Sequence, residues 1–403
     1  MQVAKVGEEE TESTRSSASR LQLNGSLIIS LALLLAIFLA IHLRLDAHYD
    51  FGTFYYAAHM VIDGSRHALY DRGVQSAFQI RYHRPQDMVF RNPPFALLPL
   101  LPLAKLPMAV AFSLWTAVSF ALLFASLKVL QDETNIFYGN WPILLSLAFA
   151  PVLAVLAVFL HGQFSLVVVA SYSVAYALWR RGRLALGGAV LAIATIKFQL
   201  VIGFIAVLML RRRGRELAGF ACGSAVLLLI SIWMVGVPSL LSYPAFVLHG
   251  DLPISELPHM ANWEGLLTIN GMNHPALLVG LSLGTIAWAA WAWKDLDRGF
   301  AAATLAAMLV SLHLTPQDIS LALVPFYLCI KAGILPRHRV PAFVIPVIAT
   351  TMAMVMVEVP LAFLAIPLAT ALCWIGTEPL KKSSGAENTP SYALSSPELR
   401  PNA

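Results

Sequence analysis

Apolar residues run along this chain in long blocks without a charge, such as Leu27–Leu43, Met108–Leu127, Leu217–Val235 and Ala276–Trp293. Blocks of about 17–25 apolar residues match a bilayer core of roughly 30 Å. Helices in a water-soluble core are apolar on one stripe, whereas these blocks are apolar all round. The pattern predicts an all-α, polytopic integral membrane protein. Basic clusters punctuate the blocks at Arg180–Arg183, Arg211–Arg215, Lys294 with Arg298, Lys331 with Arg337 and Arg339, and Lys381–Lys382. If each cluster marks a cytoplasmic loop, the spans between them come in pairs, and about twelve transmembrane helices result, with both termini inside.

This reading divides the chain into a polar cytoplasmic N-terminus, 1–25, a membrane domain, 26–376, and a Ser/Pro-rich, disordered cytoplasmic tail, 377–403. The segment Met1–Asn24 carries Glu8, Glu9, Glu10 and Glu12. It is too long and too acidic for the n-region of a cleaved signal peptide, so Leu27–Leu43 is expected to be a retained first span. Leu184–Leu210 lies between two basic clusters and must enter and leave on one side. It has the length of two short or broken helices turning near Lys197.

Composition agrees. The 403 residues are 58% hydrophobic and 12% charged, with a mean hydropathy of +0.71; soluble domains carry about 25% charged residues. A formal net charge of +5 lies mostly in loops between spans, so anionic lipid head groups are the expected partner and nucleic acid is not. The three cysteines, Cys222, Cys329 and Cys373, fall in predicted spans, which opposes a disulfide framework or a zinc site. Most of the 27 Lys and Arg fall on the inner side by this topology, and every histidine except His338 falls on the outer side. The first outer loop, 44–107, is the exception in holding many basic residues, and long loops translocate with little regard to charge. A second outer loop is expected at Gly236–Asn262.

Candidate chemistry gathers at the outer ends. Asp50, in His48-Tyr49-Asp50-Phe51-Gly52, follows the first span amid aromatics. A partly desolvated carboxylate there suits a general base, and the position serves equally a helix cap or an interfacial anchor. Tyr55-Tyr56-Ala57-Ala58 up to Asp63-Gly64 reads as an amphipathic interfacial helix closed by a Gly turn. Asn92-Pro93-Pro94-Phe95, then Pro99, Pro102 and Pro107, resist one regular span and suggest broken helices beside a cavity. Gly162-Gln163 closes a span. Lys197 would be costly in lipid unless it meets an anion or snorkels to the interface. His313 and Asp318, five residues apart, are an interfacial anchor with a neighbour or a pair for phosphate and protons.

In this order the segments from Asp50 to Asp318 resemble the bacterial polyprenol-phosphate-sugar-dependent glycosyltransferases of family eighty-seven, which have the GT-C fold. The matching pieces are His48-Tyr49-Asp50, the Tyr55-Tyr56-Ala57 to Gly64 and Tyr70-Asp71 pattern, Asn92-Pro93-Pro94-Phe95, Gly162-Gln163, Ile196-Lys197, and Ser311, His313 and Asp318. The chain departs from the family in having Lys197-Phe198 for Lys-Pro and Leu312 for the proline of Ser-Pro-His. The resemblance implies a multi-pass protein of the bacterial inner membrane, working on its periplasmic face. It implies inverting transfer of a hexose, most often mannose, from a polyprenyl-phosphate donor to a glycolipid or glycan acceptor. Asp50 would be the base, Lys197 and His313 would bind the donor phosphate, and Tyr55, Gln163 and Asp318 would support them or touch the sugar. No cofactor and no metal are expected beyond the lipid-linked donor. A lipid or small-solute transporter or flippase is the competing class, since broken helix pairs serve both.

Overall fold

The computed structural model describes residues 49–81, 89–134, 152–248, 254–272, 274–335 and 360–377. Every regular element among them is helical. Helices α1 (Tyr49–Ile62) and α2 (Arg72–Arg81) are followed by two 3₁₀ segments, Pro94–Leu100 and Leu103–Lys105. Then come α3 (Met108–Thr134), α4 (Val152–His161), α5 (Ser165–Arg180), α6 (Leu184–Leu191), the 3₁₀ segment Ala192–Leu200, α7 (Ile202–Leu210) and α8 (Gly214–Leu248). The rest comprises α9 (Trp263–Ile269), α10 (Pro275–Ala292), α11 (Leu296–Leu309), the 3₁₀ segment Pro316–Ala322, α12 (Leu323–Lys331) and α13 (Ala365–Thr377).

Three helices are each long and apolar enough to cross a membrane, within α3, α8 and α10. Leu184–Leu200 and Ile202–Leu210 together pass the same test but are bent by 116° at their junction. That turn-back, with Lys197 in a non-helical conformation at its tip (φ −126°, ψ 72°), is the short helical pair predicted between two basic clusters. The full count of twelve spans draws on Leu27–Leu43 and on parts of 135–151 and 336–359, which lie outside the described residues, as does the tail beyond Thr377.

Two expectations change. The helix carrying Tyr55 and Tyr56 is not an amphipath lying on the surface of the protein: Phe51, Phe54, Tyr55, Tyr56, Ala57, Ala58 and Met60 are all buried. Its aromatic side chains are too many for one face, so neighbouring elements enclose it. The second expected loop does not open at Gly236. Instead α8 kinks there, where Gly236 takes φ +80°, and continues as helix to Leu248. The Gly turn at Gly64 (φ +89°) and the broken helices in the proline-dense segment are as expected.

Helix α11 is the axis of the bundle, buried from Arg298 to Leu309. Phe300 on it meets Tyr176, Trp179 and Phe204 at ring separations of 5.4, 5.3 and 4.9 Å. Backbones come closest where α6 crosses α8: a Cβ added at Gly219 would overlap the Ala185 carbonyl, and one at Gly188 the Glu216 carbonyl. Small residues permit such contact where burial between helices in lipid brings no hydrophobic gain. The outer side of α8 bears the exposed Leu229, Trp233 (72% exposed) and Leu241, a surface suited to acyl chains and not to water.

Ion pairs tie one end of the bundle together. Arg181 binds Glu133 at 2.6 Å, and Arg180 lies 3.6 Å from both Glu133 and Asp297. Lys331 donates to the Tyr176 hydroxyl at 2.7 Å, and that hydroxyl donates to Asp297 at 2.6 Å. This basic end holds the termini of α3, α5, α11 and α12. The start of α5 lies at the other end, 16 residues away, about 24 Å at 1.5 Å per residue.

Substituting Gly219→Val should force α6 off α8 and lower stability by about 1–3 kcal/mol. Gly280→Ala, in a helix and with nothing within 4 Å of an added Cβ, should leave stability unchanged or raise it by up to about 1 kcal/mol. Thermal unfolding of the two variants in the same detergent separates them.

Candidate active site

The site grows from the turn between α4 and α5, His161-Gly162-Gln163-Phe164-Ser165. Gly162 takes φ +66°, and the Gln163 N–H donates back to the Val158 carbonyl at 3.1 Å. This is the Schellman closure that glycine allows at a helix C-terminus. There is no room for another residue: a Cβ on Gly162 would sit 2.7 Å from the Phe51 Cβ and 3.1 Å from the Phe112 ring. Trp115 Nε1 donates to the Gly162 carbonyl at 2.8 Å. Phe164 packs on Phe54 at 4.5 Å and on Trp115 at 5.3 Å.

The turn delivers side chains to two polar clusters. In the first, Gln163 Nε2 donates to Asp50 Oδ2 at 2.5 Å, and His161 Nδ1 lies 3.2 Å from the same oxygen. Asp50 itself is 7% exposed, in the first turn of α1. In the second, Ser165 donates to Asp318 Oδ1 at 2.7 Å, and Lys197 Nζ donates to that oxygen at 2.6 Å and to the Ser165 hydroxyl at 3.1 Å. Asp318 Oδ2 accepts from the Thr315 hydroxyl at 2.8 Å and from its backbone N–H at 3.3 Å. The Lys197–Asp318 pair is buried, with side-chain exposures of 6% and 0%. Such a pair survives only because hydroxyls and an N–H satisfy the carboxylate.

Further contacts fix the surroundings. Asn92 Nδ2 donates to the Ile196 carbonyl beside Lys197 at 2.9 Å, and the Tyr70 hydroxyl donates to the Asn92 carbonyl at 2.7 Å. The Asn92-Pro93 motif is thus a strap over the tip of the bent pair. Asn262 Nδ2 donates to the Ser311 carbonyl at 2.7 Å while its Oδ1 caps α9. That anchors the link bearing His313. Burial pushes the pKa of His313 below the usual histidine value, with Lys197 and Arg91 adding to the effect and Asp318 and Asp50 opposing it. His313 therefore lies within electrostatic reach of both clusters.

Four of the six residues predicted from sequence meet around this turn, Asp50, Gln163, Lys197 and Asp318, and His313 lies within electrostatic reach of them. Tyr55 does not join them through its hydroxyl, which donates to the Leu106 carbonyl at 2.7 Å and ties α1 to the start of α3. Lys197, Ser165 and Thr315 engage both oxygens of Asp318, whose charge also acts on His313. Sequence reasoning missed His161, Ser165 and Arg91. The signal for the first two was present, since both flank the Gly-Gln pair within the same turn. Among the described residues no three His, Cys, Asp or Glu side chains gather as a metal site.

The family model of glycosyltransferase family 87 matches residues 90–316, more than half of the chain. The chain belongs to glycosyltransferase family 87. No curated protein and no solved structure is significantly similar to it. As a family 87 member with helices long and apolar enough to span a membrane it is a membrane glycosyltransferase. The matched stretch holds Gln163, Lys197 and His313, whereas Asp50 precedes it and Asp318 follows it, so those two enter the site by geometry.

Removing one member of the buried pair, as in Lys197→Ala or Asp318→Ala, should cost about 3–5 kcal/mol by leaving a charge unpaired. The double variant Lys197→Met/Asp318→Leu should recover much of that stability. Melting temperatures of the three in one detergent check it; a double variant no better than the worse single variant contradicts the pair's coupling.

Proposed function

We propose that this family 87 enzyme moves a hexose, mannose first among the choices, from a polyprenyl-phosphate donor to a lipid or glycan acceptor with inversion. The observation carrying this reading is the His161–Ser165 turn. One end clamps Asp50 and the other holds the Lys197–Asp318 pair, with His313 in electrostatic reach of both. A carboxylate and a set of phosphate-facing donors separated by one short turn fit the two ends of a sugar-transfer step.

The chemistry divides between them. Transfer passes through an oxocarbenium-like state, and inversion calls for one base to take the acceptor hydroxyl proton. Asp50 fills that role. As the acceptor oxygen bonds to the anomeric carbon, the bond from that carbon to the phosphate oxygen breaks, and the electron pair leaves with the polyprenyl phosphate. That leaving group needs hydrogen bonds and positive charge rather than a strong acid. His313 supplies a donor, and Lys197 supplies the N–H that Asp318 and Ser165 do not engage. Gln163 holds the base, and Asp318 holds Lys197. The polyprenyl tail lies along the proline-broken segment, between the spans.

The enzyme then works at the end of the bundle opposite its basic end, the non-cytoplasmic face if positive charge marks the inside. In a bacterium this is the periplasmic side of the inner membrane. With lysine and histidine meeting the phosphate, transfer should persist in EDTA.

Membranes overexpressing the chain, supplied with radiolabelled polyprenyl-phosphate mannose, should label a lipid or glycan. Asp50→Asn should remove that labelling while leaving protein level and donor binding intact. General base catalysis contributes about 10²–10⁴-fold, so turnover above about a tenth of wild type excludes Asp50 as the base. Lys197→Ala should raise the donor KM; unchanged KM and kcat would take Lys197 out of the phosphate site.

A further inference from the structure

The half-exposed histidine beside the base has no part in the reaction so far. We infer that His161 is a positioning residue for Asp50: with Gln163 it holds Oδ2, so that Oδ1 is the oxygen that takes the acceptor proton. The inference rests on the reading of Asp50 as base.

The geometry is asymmetric. His161 Nδ1, at 3.2 Å, and Gln163 Nε2, at 2.5 Å, approach the same carboxylate oxygen. Among the described residues no hydrogen bond reaches Oδ1. Facing a carboxylate at ion-pair distance, the imidazole turns a protonated Nδ1 toward it, because a bare nitrogen there would set two lone pairs against each other. The Gln163 hydrogen bond and the imidazole contact on one oxygen fix the rotation of the carboxyl group and concentrate the stabilisation on that oxygen. The other oxygen keeps its lone pairs for the incoming hydroxyl. The proton thus goes from acceptor oxygen to Oδ1, and His161 keeps its own.

The turn makes this possible. Gly162 lets the chain reverse between His161 and Gln163, so residues two apart place their donors on one atom. Because the His161 side chain is 42% exposed and the Asp50 side chain only 10%, His161 can be replaced without opening the core. Small misplacement of a reacting group costs up to about a hundredfold in rate.

Three variants and wild type, purified in one detergent and assayed with radiolabelled polyprenyl-phosphate mannose, test the inference. His161→Ala should lower kcat about tenfold to a hundredfold with the donor KM unchanged. His161→Asn, whose amide nitrogen can stand where Nδ1 stands, should recover most of that loss. Asp50→Asn should be inactive. His161→Ala within about twofold of wild type, beside an inactive Asp50→Asn, overturns the role of His161 and leaves Asp50 as base. An Asn variant no better than Ala overturns the donor role. An active Asp50→Asn overturns the reading of Asp50 itself. A loss caused by general loosening would fall on Asn and Ala alike and would lower their melting temperatures, so the rescue by Asn separates positioning from packing.

Discussion

A lysine and an aspartate without water, Lys197 and Asp318, set the terms for this end of the molecule. Each alone would be expensive in an apolar interior, and together they are stable only with their hydrogen-bonding capacity met. Ser165 and Thr315 meet it from one side, and the strap through Asn92 holds the backbone on the other. To satisfy one carboxylate, the structure must bring together α5, the tip of the bent pair and the start of the 3₁₀ segment before α12. That convergence fixes where the active site lies.

Ser165 links this pair to Asp50, the proposed base. It starts α5 and lies three residues after Gly162, so the position of the pair determines how the turn sits. The turn in turn determines where Gln163 and His161 meet Asp50. Aromatic rings enclose the turn on the side of α1 and α3, through Phe51, Phe112 and Trp115, and keep Asp50 from water. Apolar packing and polar satisfaction therefore act on the same five residues. A glycine with positive φ is required between them because both demands leave no space for a Cβ.

The two ends of the bundle use charge differently. At the basic end, Arg180, Arg181, Glu133, Asp297 and Lys331 make partly exposed pairs of modest strength. At the opposite end, beside the exposed charges of the 44–107 segment, Asp50, Lys197 and Asp318 are buried, where each interaction is stronger and each unsatisfied group more costly.

Hydropathy and the spacing of basic clusters were enough to read an all-helical membrane chain and the turn-back at Lys197. These follow from local constraints: the length of an apolar run, the cost of charge in lipid, and the backbone limits of proline and glycine. Asp50, Gln163, Lys197, His313 and Asp318 were legible as candidates because polar residues at span ends need a reason. Their partners were not. Tyr55 turned to Leu106, Asp318 to Lys197 and Ser165, and His161 to Asp50, across separations of 51, 121, 153 and 111 residues. Pairings at such distances depend on how helices cross. The sequence alone therefore determined which residues were too costly to be idle, and the tertiary structure decided what each of them holds, because only packing puts a donor within 3 Å of an acceptor.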